Sequence, residues 1–158
     1  MSVRPAWVVT PLPLEPLLNR LCASLDKVYH DKNVAWDLDL CNASALITEP
    51  EGLEIFGNIL DNAFRLCLSR VRVSSCRQPD WLEVWVDDDG PGVPTAMRER
   101  ILERGQSADL RNPGQGIGLG LVTEMLEEIG GELSVESSPI GGASFRVRLP
   151  VPAAIDVG

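Results

Sequence analysis

Residues 48–66 read Thr48-Glu49-Pro50-Glu51-Gly52-Leu53-Glu54-Ile55-Phe56-Gly57-Asn58-Ile59-Leu60-Asp61-Asn62-Ala63-Phe64-Arg65-Leu66, and the rest of the chain falls into place around them. Thr48 with Glu51 three residues on is a capping box, in which the hydroxyl accepts a first-turn amide and the carboxylate reaches back. The spacing predicts a helix from about Glu49 to Leu68. Advancing about 100° per residue from Glu54 puts Asn58, Asn62 and Arg65 at about 40°, about 80° and about 20°. Ile55, Phe56, Ile59, Leu60, Ala63, Leu66 and Cys67 fall between about 100° and 240°. One edge is polar and the opposite face is core.

Working outward, Leu14, Leu17, Leu18, Leu21, Leu25 and Val28 recur at helical steps, and Asp31-Lys32-Asn33 ends that helix. Val34, Trp36, Leu38 and Leu40 then alternate with polar or small residues, a half-buried strand. Beyond the central helix, Arg70 to Cys76 and Trp81 to Asp87 read as a hairpin joined by Arg77-Gln78-Pro79-Asp80. Residues 90–118 are rich in Gly, Pro, Arg and Asp, with a short helix expected from Thr95 to Glu103; a long loop in a compact domain is usually functional or mobile. A further helix is expected from Gly118 to Ile129, stopped by Gly130-Gly131, and strands at Glu132 to Glu136 and Ser144 to Leu149 close the pattern. Residues 1–13 read as an irregular linker or an edge strand at Trp7-Val8-Val9, residues 14–150 as one domain, and residues 151–158 as a tail.

A chain of 158 residues is enough for one well-filled core. Its net charge of -9 argues against a general nucleic-acid or anionic-membrane surface, because both need positive charge. No apolar run approaches the roughly 20 residues of a membrane helix, and Met1-Ser2-Val3-Arg4-Pro5 lacks a secretory signal's apolar segment. Cys22, Cys41, Cys67 and Cys76 form no CxxC pair and the chain has one histidine, so reduced cytosolic thiols are expected rather than a zinc or redox site.

Three segments carry chemistry. Along the polar edge of the central helix, the amides of Asn58 and Asn62 offer hard, neutral oxygens for a cation such as Mg, and Arg65 complements phosphate. Asp87-Asp88-Asp89-Gly90-Pro91-Gly92 follows a strand; a partly buried Asp needs donors, which an adenine amine and a water supply, while Gly90 and Gly92 leave room for a flat ring. A calcium loop is excluded, since Trp85 stands where its first carboxylate belongs, and a plain Asp-Gly turn between elements is the alternative. Gly114, Gly116, Gly118 and Gly120 alternate into a helix start, where backbone amides hold anionic oxygens. Neither the Rossmann nor the P-loop fingerprint fits this run. Arg104, Arg111 and Gln115 precede it and suit a segment that closes over phosphates. Together the three segments read as an ATP site.

In this order and at these separations they resemble the ATP-binding domain of sensor histidine kinases, within the wider GHKL group that includes gyrase, Hsp90 and MutL. Asn58 to Ala63 matches the N box, Asp88-x-Gly90-x-Gly92 the first glycine box, Gly114-x-Gly116-x-Gly118-Leu119 the second, and Gly141-Gly142-Ala143-Ser144-Phe145 the final glycine-bearing strand. With Arg104-Gly105-Gln106 the wording is most similar to PhoQ-type kinases. The resemblance implies an α/β (α+β) two-layer sandwich of the Bergerat type, a mixed and mainly antiparallel sheet with helices on one face. It further implies that Asn58 coordinates Mg, that Asn62 and Arg65 support phosphate and metal, and that Asp88 accepts from the adenine amine. Gly90 and Gly92 would shape the base pocket, Arg104, Gln115, Gly114, Gly116, Gly118 and Leu119 would form the lid, and Glu54 would help activate the acceptor.

Several positions depart from the family pattern. Arg65 replaces a Lys, Leu66 an aromatic wall residue and Leu102 the Phe of the F box, while Asn112 stands where the lid arginine belongs, with Arg111 one step earlier. His30-Asp31 looks like a phosphoacceptor motif but falls at the end of the first helix, which suits a solvated histidine. The expectation is therefore a cytoplasmic, monomeric catalytic domain that works on a histidine-bearing dimerisation domain, and through it a response regulator, of a parent kinase in the inner membrane. A GHKL ATPase with Glu54 activating water, an anti-sigma-type serine kinase, and a degenerate docking module without nucleotide binding are the alternatives.

Overall fold

The computed structural model describes residues 9–103 and 119–152. In chain order the elements are β1 (Leu12–Pro13), α1 (Leu14–Val28), β2 (Ala35–Asp39), β3 (Ser44–Ala45), α2 (Glu49–Leu66), β4 (Arg70–Arg77), β5 (Trp81–Asp88), α3 (Arg98–Ile101), α4 (Gly120–Glu128), β6 (Glu132–Ser137) and β7 (Ala143–Pro150), with short 3-10 turns at His30–Lys32 and Thr95–Met97. The main sheet runs β2-β4-β5-β7-β6, parallel only between β2 and β4 and antiparallel elsewhere. That is the mixed, mainly antiparallel sheet expected.

The layers follow from strand alternation. Val71 and Val73 of β4, Leu82, Val84 and Val86 of β5, and Phe145, Val147 and Leu149 of β7 are buried on one face. Against them pack Ile55, Phe56, Ile59, Leu60 and Ala63 of α2, with Leu17, Leu18 and Cys22 of α1 and Val122 and Leu126 of α4 in the same core. Arg72, Glu83, Trp85, Arg146 and Arg148 lie at the alternate positions of the sheet, on the face that carries its ion pairs. There Arg148 bonds Glu83 at 3.0 Å and lies 4.4 Å from the ring centre of Trp81.

α2 opens with the capping box read from sequence: Glu51 N donates to Thr48 Oγ1 at 3.3 Å and Thr48 N to Glu51 Oε1 at 2.9 Å. It closes two residues earlier than expected, because Cys67 is extended and Lys32 Nζ donates to the carbonyls of Phe64, Arg65 and Cys67 at 2.9, 2.6 and 2.7 Å. A long-range cation thus ends the helix, satisfying carbonyls that have no partner within it. The pair β1–β3 was not expected, since two-residue strands carry no periodic signal; it draws Leu12–Pro13, read as linker, into structure. The Thr95 to Glu103 helix is instead a 3-10 turn followed by the single turn α3. The edge strand expected at Trp7-Val8-Val9 begins outside the described residues, and Val9 itself is buried in a bend.

Candidate functional site

The three consecutive aspartates at the end of β5 have three different fates. Asp87 points to the sheet's ion-pair face, 8% exposed, between Arg72 and Ser144 in the register, and its Oδ1 meets no donor among the described residues. Asp88 points to the helical side and is 3% exposed; its Oδ1 accepts from Gly90 N at 2.8 Å and Ala143 N at 3.2 Å. No described residue donates to its Oδ2. Asp89 turns back, Oδ1 accepting from the amides of Leu68, Ser69 and Arg70 at 2.9 to 3.0 Å and Oδ2 from the Ser69 hydroxyl at 2.9 Å.

Their electrostatics differ accordingly. Burial pushes the Asp88 carboxyl above the ordinary aspartate value, against the pull of the Gly90 and Ala143 amides and with help from Asp89 and Asp87. Burial also works to raise Asp89, but the amides of Ser69, Arg70 and Leu68 and the Ser69 hydroxyl outweigh it, so its carboxyl lies below the ordinary value.

Asp88 sits at a narrow cleft lined by Asn62, Leu66, Pro91, Gly92, Val93, Ala143 and Phe145. The wall is mostly apolar, with one carboxylate and one carboxamide. The absence of side chains from two glycines permits this packing. A Cβ on Gly90 would stand 2.3 Å from the Leu66 carbonyl oxygen, and one on Gly142 would stand 2.1 Å from Asp88 Oδ1. Gly92 has φ +74, in the left-handed region that favours glycine.

Along α2, the polar edge is present with a polarity that the helical wheel could not assign. Asn58 Nδ2 donates to the Glu54 carbonyl at 2.6 Å and approaches Glu54 Oε1 at 3.4 Å, so the Asn58 amide turns its oxygen outward. Asn62 does the opposite: its Oδ1 accepts from Arg65 Nη2 at 2.6 Å, which leaves Nδ2 as the donor to the cleft. Asn62 is 6% exposed and lines the cleft, whereas Glu54 and Asn58 are exposed. Arg65 Nη1 lies 3.8 Å from Asp61 Oδ2, and Tyr29 Oη donates to Asp61 Oδ1 at 2.7 Å.

The fold therefore brings Asn62, Asp88 and Gly92 into one cleft, Gly90 into its supporting turn, and Glu54, Asn58 and Arg65 onto the adjoining helix edge. Leu119 caps the start of α4, is buried, and bonds its amide to Ile101 O at 2.9 Å, away from the cleft lining. Arg104, Arg111, Asn112, Gly114, Gln115, Gly116 and Gly118 lie outside the described residues. His30 is exposed, 3.0 Å from Asp31, as expected of a solvated histidine. Roles that sequence reasoning missed belong to Ala143 and Phe145 in the cleft wall and to Tyr29, Lys32 and Asp61 behind it. The segment Gly141 to Phe145 was marked as a glycine-bearing strand without a role in the cleft, and nothing in the sequence joined Tyr29 to Asp61.

A sheet covered on one face by helices thus carries, at the end of β5, a buried carboxylate in a mostly apolar cleft beside a helix edge of carboxamides and a guanidinium. The chain belongs to the histidine kinase-, DNA gyrase B- and HSP90-like ATPase family, whose model matches residues 49–153. It is 49% identical over 136 residues to the two-component sensor PhoQ of Pseudomonas aeruginosa, an alignment covering 85% of this chain and 30% of that protein. It is 39% identical to the virulence sensor histidine kinase PhoQ of Salmonella typhimurium and 40% identical to the sensor protein PhoQ of Escherichia coli, covering 85% of this chain and 28% of each protein. The chain thus spans less than a third of the length of these relatives. Among solved structures, the ATP binding domain of PrrB from Mycobacterium tuberculosis is 26% identical with a TM-score of 0.76, covering 91% of this chain and 98% of that one. The mycobacterial sensor histidine kinase MprB shares the fold, with a TM-score of 0.76 at 23% identity over 90% of this chain and 97% of that one.

Proposed function

We propose that this chain binds Mg-ATP and donates its γ-phosphoryl group to a histidine on a separate dimerisation domain, as the catalytic domain of a PhoQ-type two-component sensor kinase. The observation that carries the reading is Asp88: a buried carboxylate with one oxygen held by two amides and the other accepting from no described residue, at the floor of an apolar cleft. A buried carboxylate in such a place calls for a ligand donor, and the exocyclic amine of adenine is one. The 49% identity to a named two-component sensor supports the choice of kinase over a serine kinase or an ATPase machine.

The residues fit the nucleotide and its metal. Leu66, Val93, Ala143 and Phe145 would close on the ring, and the glycines keep the space that a Cβ at position 90 or 142 would disturb. Asn62 Nδ2 and Arg65 would donate to phosphate oxygens, and the outward oxygen of Asn58 would hold Mg. Bound Mg would neutralise phosphate charge as the leaving group departs. The β–γ bridging P–O bond breaks and a P–N bond forms to the incoming imidazole, whose ring proton leaves toward a nearby base; Glu54, exposed beside Asn58, is the residue we assign to the acceptor side. The domain itself contributes chiefly positioning. The acceptor domain, a response regulator beyond it and a membrane-bound parent with this domain on the cytoplasmic side belong to the same proposal; among the described residues no helix is long and apolar enough to cross a membrane. Titration with a fluorescent ATP analogue and Mg should saturate, and the purified dimerisation domain should then become phosphorylated on histidine. A flat titration, or phosphate appearing on serine, would reject the proposal.

A further inference from the structure

Tyr29 ends α1 and does not touch the cleft, yet it is joined to it by an unbroken series of polar contacts. Its hydroxyl donates to Asp61 Oδ1 at 2.7 Å; Asp61 Oδ2 lies 3.8 Å from Arg65 Nη1; Arg65 Nη2 donates to Asn62 Oδ1 at 2.6 Å; and Asn62 lines the cleft. Asp61 and Arg65 are one helical turn apart, so their meeting needs no help from elsewhere. The direction of the carboxylate does need help, because an aspartate on an open helix face has several rotamers. Tyr29 selects one of them. Its ring is itself fixed, stacked on Phe64 with centroids 6.5 Å apart at 29°. The next turn of chain immobilises the backbone beneath: Lys32 holds the carbonyls of Phe64, Arg65 and Cys67.

We propose that Tyr29 is a positioning residue for the phosphate end of the site, orienting Arg65 through Asp61 so that Arg65 in turn fixes the amide of Asn62 with its donor toward the cleft. The phenol can only serve as a donor to a carboxylate while it keeps its proton. Burial and the bond to Asp61 push its pKa up to about 12, with Arg65 pulling the other way, so the proton is kept at any working pH. The inference rests on the reading of the α2 edge as a phosphate site, and it predicts an effect graded by phosphate content.

The test compares the whole chain with its Tyr29→Phe and Asp61→Asn variants by competition against a fluorescent ATP analogue, using Mg-ATP and adenosine as competitors, with melting temperatures recorded beside. Phe at position 29 keeps the stacking and removes only the hydroxyl. The expected result is ATP affinity lower by about tenfold, the scale of one charge-assisted contact, with adenosine affinity within about twofold. Asp61→Asn should lose a similar factor, and the double variant should lose no more than either alone, since both cut the same series. ATP and adenosine weakened equally, ATP affinity unchanged in both variants, or additive losses would overturn the inference. Failure of the wild-type chain to bind ATP would show itself before any variant is made and would overturn the parent reading together with this one.

Discussion

Gly142 donates its amide to the Asp88 carbonyl at 3.0 Å, and a Cβ on Gly142 would stand 2.1 Å from Asp88 Oδ1 and 2.5 Å from Gly90 N. The turn before β7 and the turn after β5 are therefore interlocked through their backbones, and the orientation of the Asp88 carboxylate depends on a glycine 54 positions away. Gly142→Ala forces both the Asp88 carboxylate and main chain at Asp88 and Gly90 to shift. It should destabilise the fold by about 1–3 kcal/mol, the scale of overpacking, and abolish the saturable signal of a fluorescent ATP analogue. A melting curve and one titration suffice; an unchanged titration would separate the turn from the site.

Asp88→Asn keeps an oxygen for the Gly90 and Ala143 amides but replaces the acceptor facing the cleft with a donor. The expected outcome is ATP affinity weaker by tenfold or more, which is about 1.4 kcal/mol or more, with little loss of thermal stability. Acid should act in the same way. Because burial raises the Asp88 pKa, lowering the pH protonates the acceptor earlier than it would an ordinary aspartate, so ATP affinity should begin to fall above the ordinary aspartate range. An affinity measured to be flat down to that range would count against Asp88 as the acceptor.

Asp89 behaves in the reverse sense. Its folded pKa is depressed, so its contribution to stability is fully present above the unfolded value and is lost as the pH falls through the lower, folded value. Asp89→Ala should cost about 1–2 kcal/mol at neutral pH, through the amides of Leu68, Ser69 and Arg70 left without their acceptor. The gap between variant and wild type, measured by urea unfolding over a pH series, should close only below the ordinary aspartate range.

Lys32→Met keeps most of the length of the side chain and removes three bonds to carbonyls at and just beyond the end of α2. A loss of about 2 kcal/mol is expected from charge-assisted bonds at a helix C-terminus. Hydrogen exchange should quicken at the end of α2 while the β5 and β7 amides stay protected. Uniform acceleration would show that Lys32 stabilises the whole domain rather than that end.

The thiols divide by burial. Cys22 is buried and its pKa is pushed up to about 12 by that burial, whereas Cys76 is exposed. A thiol reagent at neutral pH should label Cys76 first and reach Cys22 only on unfolding, which mass spectrometry of the labelled peptides would read directly.

Much of this was legible in residue order. The capping box of Thr48 and Glu51 and the period of Ile55, Phe56, Ile59, Leu60 and Ala63 announced α2, because helix caps and amphipathic faces are local features. The strands read at Trp81 to Asp87 and Ser144 to Leu149 likewise announced β5 and β7, each within a residue of its bounds. Phe64 lay off the calculated apolar stripe yet is fully buried, because Tyr29 arrives from α1 to cover it.

The sequence by itself determined the longer helices and strands, their order and the residue types that mark the cleft, since propensity, capping and periodicity act over a few residues. Tertiary structure alone decided which of three adjacent aspartates turns into the cleft, which way each asparagine amide faces, and that Gly142 meets Asp88, Lys32 the end of α2 and Tyr29 Asp61. Those outcomes depend on strand register and on side chains dozens of positions apart. Chain order does not carry the distance between them.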